Sequence, residues 1–239
     1  MRLILLLFVP FSLLQIREFS PASQGLLKSF SACNCAVRLK SSEPEIKIGD
    51  QIWMLENLNS ERFKNGDKIP QAKNFNEWTS ACLNMKPTWC YYDFDPSNNK
   101  KYGKLYNIAA LWDARELAPD GWHIPSESEW MVLINHLGGD SLAADKLKSL
   151  EGWNCGSDDT KCNGSNSSGF SAMASGSMGY KGRYFLGKGF EAAWWTSSTD
   201  ETNPLQAEQS VVVLGRVAIT VNKYEPYMSG LSVRCIKNH

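Results

Sequence analysis

His123 follows Trp122 and precedes Glu127 and Glu129, so an imidazole and two carboxylates lie close together in the chain. That grouping could act as a general base with an orienting carboxylate. A competing assignment uses the same residues structurally. Ser126 follows Pro125 and stands three residues before Glu129, which is the spacing of a helix-capping box, and that use accounts for Glu129. No Gly-x-Ser-x-Gly elbow, phosphate-cradling loop or HExxH motif occurs. The glycines from Gly176 to Gly189 lack the Lys-Ser or Lys-Thr of a phosphate loop and suit tight hairpin turns.

Metal chemistry finds little purchase. Zinc needs paired Cys or His ligands, whereas no paired CxxC set is present and the histidines are only His123, His136 and His239. Two loops are rich in acids and amides: Asp93 to Asn99, and Asp158-Asp159 with Asn163 and Asn166. They are the candidates for a bound calcium, but neither has the spaced carboxylates and closing Glu of an EF-hand, and turn chemistry explains most of their composition. The expectation is no cofactor, with calcium as the exception to check.

Aromatic residues offer a different chemistry. Nine tryptophans are more than a core of this size usually requires, and exposed Trp or Tyr faces stack on sugar rings and anchor protein interfaces. The ligand-binding candidates are Trp89, Tyr91, Tyr92, Trp153, Tyr180, Tyr184, Trp195, Tyr224 and Tyr227, which sit near turns or opposite a core-facing neighbour. In Trp194-Trp195, strand alternation sends one ring inward and the other outward, unless a further layer covers the second.

These side chains must be carried by local elements. Ile46, Ile48, Ile52 and Met54 mark a strand pair turned at Gly49-Asp50. Leu105, Ile108, Ala109 and Trp112 fall at helical spacing and predict a first helix over Tyr102 to Leu117. Trp130, Leu133, Ile134 and Leu137 form the stripe of a second, begun by the capping box and stopped by Gly138-Gly139. A short third helix is expected over Ala143 to Leu150. Strand patterns follow over Phe170 to Phe185, Ala192 to Ser198, Ser210 to Asn222 and Leu231 to Lys237. Helices first and strands afterwards indicate an α+β domain.

Lys plus Arg and Asp plus Glu both number 25. That balance removes the electrostatic footprint of a nucleic-acid binder and leaves a glycan or a protein as the expected partner. Met1-Arg2, the apolar run Leu3 to Ile16 and the small, polar stretch to Gly25 have the grammar of a signal peptide, expected over 1–25. The rival reading is an uncleaved membrane anchor. Residues 26–45 read as a linker, and 46–239 as one domain. Cys33 after Phe30-Ser31-Ala32 is a candidate acylation site that would tether the domain to a membrane. Export predicts localisation outside the cytoplasm, secreted or at the cell surface. It also makes the seven cysteines candidates for disulfides. Local spacing pairs Cys155 with Cys162 and, second, Cys82 with Cys90.

Seven segments run in order from Ile48 to Asn238: IGDQIWMLENL, YGKLYNIAA, GWHIPSESEW, LGGDSLAADKLKS, GFSAMASGSMGYKGRYF, AAWWTSST and GLSVRCIKN. Together they resemble the Fibrobacter succinogenes major paralogous domain, a family of exported bacterial domains similar to C-type-lectin-like and sulfatase-modifying-factor folds. The resemblance implies a twisted, mainly antiparallel sheet with two principal helices and long loops, and it implies burial of Trp53, Trp122, Trp130 and Trp194. Relatives commonly carry a Cys directly before Pro-x-Gly-Trp-His as partner for the Cys of the terminal SVRC strand. Here that position is Ala118, which leaves Cys235 either free and buried or rewired to Cys82 or Cys90. The lectin tripeptides Glu-Pro-Asn and Gln-Pro-Asp are absent. The expected function is an exported, non-catalytic binding module for polysaccharide or a protein partner. A structural or adhesion protein without soluble ligand is the alternative. A copper-dependent oxidase of the sulfatase-modifying kind is less favoured, because Cys235 lacks a second thiol in the strand region.

Overall fold

The computed structural model describes residues 43–154, 162–179, 181–199 and 209–238. All of these fall within one unit, Ser42–His239. The expected signal peptide, most of the linker, Cys33, Cys155 and Tyr180 lie outside the described residues, as do the side chains of 209–210 and 222–225.

β1 (Glu45–Ile48) and β2 (Gln51–Met54) form the expected hairpin, with Ile48 opposite Gln51. Gly49 takes the positive φ of +59° that closes a two-residue turn. α1 (Phe75–Leu83) has no counterpart among the sequence expectations, although its start is encoded locally: the Asn74 side chain accepts from Glu77 N–H while Glu77 Oε2 accepts from Lys73 N–H. β3 (Trp89–Cys90) leads into two short 3₁₀ turns, then α2 (Asn99–Tyr102), β4 (Leu105–Asn107) and α3 (Ile108–Leu111).

The helix expected over Tyr102 to Leu117 is therefore broken. Leu105 and Tyr106 are drawn into a sheet between Cys90 and Trp89 on one side and Leu231 on the other, and the Asn107 side chain caps a new helix by accepting from Ala110 N–H. Strand pairing on both sides overrides helical spacing here.

β5 (Trp122–His123) precedes α4 (Glu127–His136), whose capping box is present as expected. The third helix, α5, runs Asp140–Leu147, earlier than expected. Then come β6 (Ser175–Met178), β7 (Phe185–Lys188), β8 (Ala192–Thr199), β9 (Gln209–Leu214), β10 (Ile219–Glu225), β11 (Gly230–Leu231) and β12 (Ile236–Lys237). The strand pattern over Ser210 to Asn222 forms a hairpin of two strands, β9 and β10.

Two sheets result, one ordered β1-β2-β12-β5 and one ordered β10-β9-β8-β6-β11-β4-β3, with β7 attached to β6. Between named strands the pairing is antiparallel except where Gly176 of β6 meets Ala192 of β8. The architecture is mixed α+β with mostly antiparallel sheets and few helices.

β8 begins with the apolar run Ala192 to Trp195, and its packing shows why. Ala192 and Trp194 pack on one face with Trp53, Trp130, Leu133 and Phe170. Ala193 and Trp195 pack on the other with Tyr106, Ile108, Leu231 and Cys235. Both faces of the strand are covered, so it reads as a continuous hydrophobic run. Four rings form the centre of the first layer: Trp53 and Trp130 lie 4.7 Å apart, Trp130 and Trp194 5.4 Å, and Phe170 meets Trp53 edge-on at 5.8 Å.

Candidate functional site

Most of the aromatic candidates belong to the core. Trp195 is fully buried and donates from Nε1 to the Tyr106 carbonyl at 2.8 Å. Trp89 donates to the Ile69 carbonyl at 2.9 Å and meets Tyr91 edge-on, with the Lys104 ammonium 4.6 Å from the Trp89 ring. Trp153 donates to the Ala172 carbonyl at 3.0 Å, and Tyr92 packs on Phe185 at 4.9 Å. The surface placement expected for Trp89, Tyr91, Tyr92, Trp153 and Trp195 is thus corrected: all are buried. A second cluster covers the face of β8 that carries Trp195 and takes in Trp89 and Tyr91, Trp153 packs in the cluster of Trp194, and Tyr92 joins a third with Phe185. Tyr184 and Tyr227 are exposed as expected. Tyr180 and the Tyr224 side chain lie outside the described residues.

Phe190, 54 % exposed, was not among the candidates. It sits in the turn between β7 and β8, and its signal was the run Gly187-Lys188-Gly189-Phe190-Glu191, an aromatic lifted on a glycine turn. The Gly187 carbonyl accepts from Phe190 N–H at 2.8 Å and Glu191 N–H at 2.9 Å, which closes the turn. Gly187 and Gly189 have φ of +77° and +86°. A Cβ on Gly187 would collide with the Glu191 side chain, and one on Gly189 with the Asn154 carboxamide. The glycines therefore make room for two polar groups packed against the turn that carries Phe190. Burial pushes the Glu191 carboxyl above the usual carboxylate range, and among the described residues it has no hydrogen-bond or ion-pair partner.

Beside this turn, Lys188 Nζ lies 3.4 Å from Asp93 Oδ2 and 4.7 Å from the centre of the Tyr92 ring. Asp93 and Phe94 both have φ of +56°, a left-handed backbone that non-glycine residues adopt at a cost of about 1–2 kcal/mol each. The loop is held by Asp95, which accepts from Ser97 N–H at 2.9 Å and Ser97 O–H at 2.6 Å, and by Asn98, which donates to the Tyr92 carbonyl at 2.8 Å. The acidic residues of this calcium candidate are engaged in a lysine pair and a helical cap. Among the described residues no cluster of three metal-ligating acid, His or Cys side chains occurs.

The cysteines depart from their expected pairing. Cys82 and Cys90 are free and buried, which corrects the second disulfide. The Cys82 thiol is held instead by weak contacts with Asn107 Nδ2 at 3.8 Å and the Met228 carbonyl at 4.0 Å. Cys162 is disulfide-bonded. Cys235 takes the free and buried alternative, in the same apolar cluster as Ala118. Burial pushes the thiols up, to about 11 for Cys82 and about 12 for Cys235, so they stay protonated at neutral pH.

His123 is fully engaged. Its Nε2 lies 2.7 Å from Glu129 Oε1 and its Nδ1 2.7 Å from Asn238 Oδ1. Glu129 Oε2 accepts from the Ser126 N–H and hydroxyl, each at 2.7 Å. Burial of the Glu129 carboxyl opposes its ionisation, but the Ser126 and His123 hydrogen bonds outweigh it and hold the group below its ordinary value. One carboxylate thus serves the cap and the ring together, and both ring nitrogens already face a side-chain oxygen.

A cleft of about 200 Å³ lies between Glu43, Glu56, Asn57, Asn59, Ser60 and Pro119. It is smaller than the roughly 300–1,000 Å³ of small-molecule sites.

The family model described as the Fibrobacter succinogenes major domain matches residues 46–237. No curated protein and no solved structure matches the chain.

Proposed function

Since the chain belongs to the Fibrobacter succinogenes major domain family, we propose that it has a C-type-lectin-like fold and works as an exported, non-catalytic module that binds polysaccharide. The observation that carries this reading is the glycine turn between β7 and β8. It raises the exposed Phe190 ring beside an unpaired, half-buried Glu191 carboxyl, with the exposed Tyr184 and Leu186 nearby in sequence. A flat apolar surface next to hydrogen-bonding groups suits a sugar, whose ring faces are apolar and whose edges carry hydroxyls. Assignment of binding rather than catalysis is supported by the occupied nitrogens of His123 and the buried, protonated thiols. The signal-like leader and the disulfide at Cys162 support export to an oxidising compartment.

The test is binding of the full chain, expressed with its own leader, to a panel of insoluble and soluble polysaccharides, with and without a chelator. Saturable binding is expected, and its loss on chelation would add a calcium requirement. Failure to bind any polysaccharide overturns the reading in favour of a structural or adhesive role, which concentration-dependent self-association of the same sample would support.

A further inference from the structure

The β7–β8 turn has more specific chemistry than an exposed ring. Asn154 N–H donates to the Gly189 carbonyl at 2.6 Å, which fixes the residue against the turn, and its carboxamide lies where a Gly189 side chain would be. The Glu191 side chain occupies the corresponding space at Gly187. Phe190 stands between these two glycines and Glu191, exposed. An amide, an exposed aromatic and a carboxyl thus all meet this one turn. Nearby, the Lys188 ammonium is engaged with Asp93, so it does not neutralise Glu191.

We infer that Asn154, Phe190 and Glu191 form a subsite for one neutral pyranose unit of an uncharged polysaccharide. The sugar's apolar face stacks on Phe190, its hydroxyls donate to the Glu191 carboxylate, and the Asn154 amide exchanges hydrogen bonds with a further hydroxyl. A half-buried carboxylate without a cationic partner among the described residues gains from hydroxyl donors and repels a uronate, which selects neutral over acidic polymers. This inference rests on the polysaccharide-binding reading above and assigns its ligand class and residues.

The experiment compares wild type with Phe190→Ala, Phe190→Trp and Glu191→Gln in depletion isotherms on amorphous cellulose, xylan and polygalacturonate, each variant checked by its thermal melt. Phe190→Ala is expected to weaken binding to the neutral polymers about tenfold, as expected for loss of an aromatic contact. Phe190→Trp should retain binding, and Glu191→Gln should weaken it several-fold. Wild-type binding should fall as pH drops through the Glu191 titration, with the Gln variant flat over that range. If wild type binds but Phe190→Ala and Glu191→Gln match it, or if polygalacturonate is preferred, the subsite is wrong while the module stands. If wild type binds none of the panel, both fall.

Discussion

The Arg234 guanidinium lies 4.4 Å from the centre of the Phe170 ring and donates from Nη1 to the Phe170 carbonyl at 3.0 Å. The same side chain donates to the carbonyls of Met54 and Leu55 at 3.1 and 2.8 Å, and from Nε to Asn57 Oδ1 at 3.1 Å. Asn57 Oδ1 also accepts from Trp194 Nε1 at 2.8 Å. One buried arginine thereby joins the segment between β11 and β12, the end of β2 and the loop after it, the Phe170 segment and, through Asn57, the central strand β8. Burial pulls its pKa down to about 9, against the opposing pull of the Glu56 carboxylate.

Replacing Arg234 by Met leaves these carbonyls buried without a donor. The expected loss is about 3–5 kcal/mol, with little recovery in Arg234→Lys, because an ammonium cannot reproduce the planar fork. The midpoint of urea unfolding measures it.

Trp195→Ala and Phe190→Ala separate core from surface. Trp195 is fully buried with its N–H bonded, so its loss should cost about 3–5 kcal/mol and lower the melting temperature by roughly 10 °C. Phe190→Ala should change stability by less than about 0.5 kcal/mol. Calorimetry on both variants distinguishes the two roles.

Cys82, Cys90 and Cys235 should resist a thiol reagent in the native protein at neutral pH and react when it is denatured, because burial both blocks access and keeps the thiols protonated. Rapid native modification of any of the three would contradict the buried assignment.

Glu129→Ala removes the reciprocal half of the capping box and one partner of His123. The cost should be about 1–2 kcal/mol at pH 7. The folded carboxyl titrates below its unfolded value, so its stabilisation is full above the ordinary glutamate pKa of about 4.3 and is lost as pH falls through the folded one. The gap between mutant and wild type in urea melts should therefore close at acid pH.

Glu191→Gln has the opposite sign. The Glu191 pKa is raised by burial, so its contribution is most favourable below the unfolded pKa and is lost as pH rises through the folded one. The Gln variant should melt slightly higher than wild type at pH 7, and this advantage should vanish in acid.

Elements whose signals lie within a few residues were legible in the chain. The Ser126–Glu129 box, the Gly49 hairpin and the apolar stripe of α4 are local, and the ordered motifs carried the family assignment. The same local reading placed a helix across Leu105 and Tyr106, because helical spacing does not register the distant strands Trp89–Cys90 and Gly230–Leu231 that claim those residues. For the site, alternation correctly set Trp194 and Trp195 on opposite faces. It could not say that residues as remote as Tyr106 and Cys235 cover the second face, so exposure was assigned to rings that are buried. Sequence by itself determined which side chains share a face, since backbone geometry sets that. Only the tertiary structure decided which faces meet solvent, because burial depends on packing partners far away along the chain.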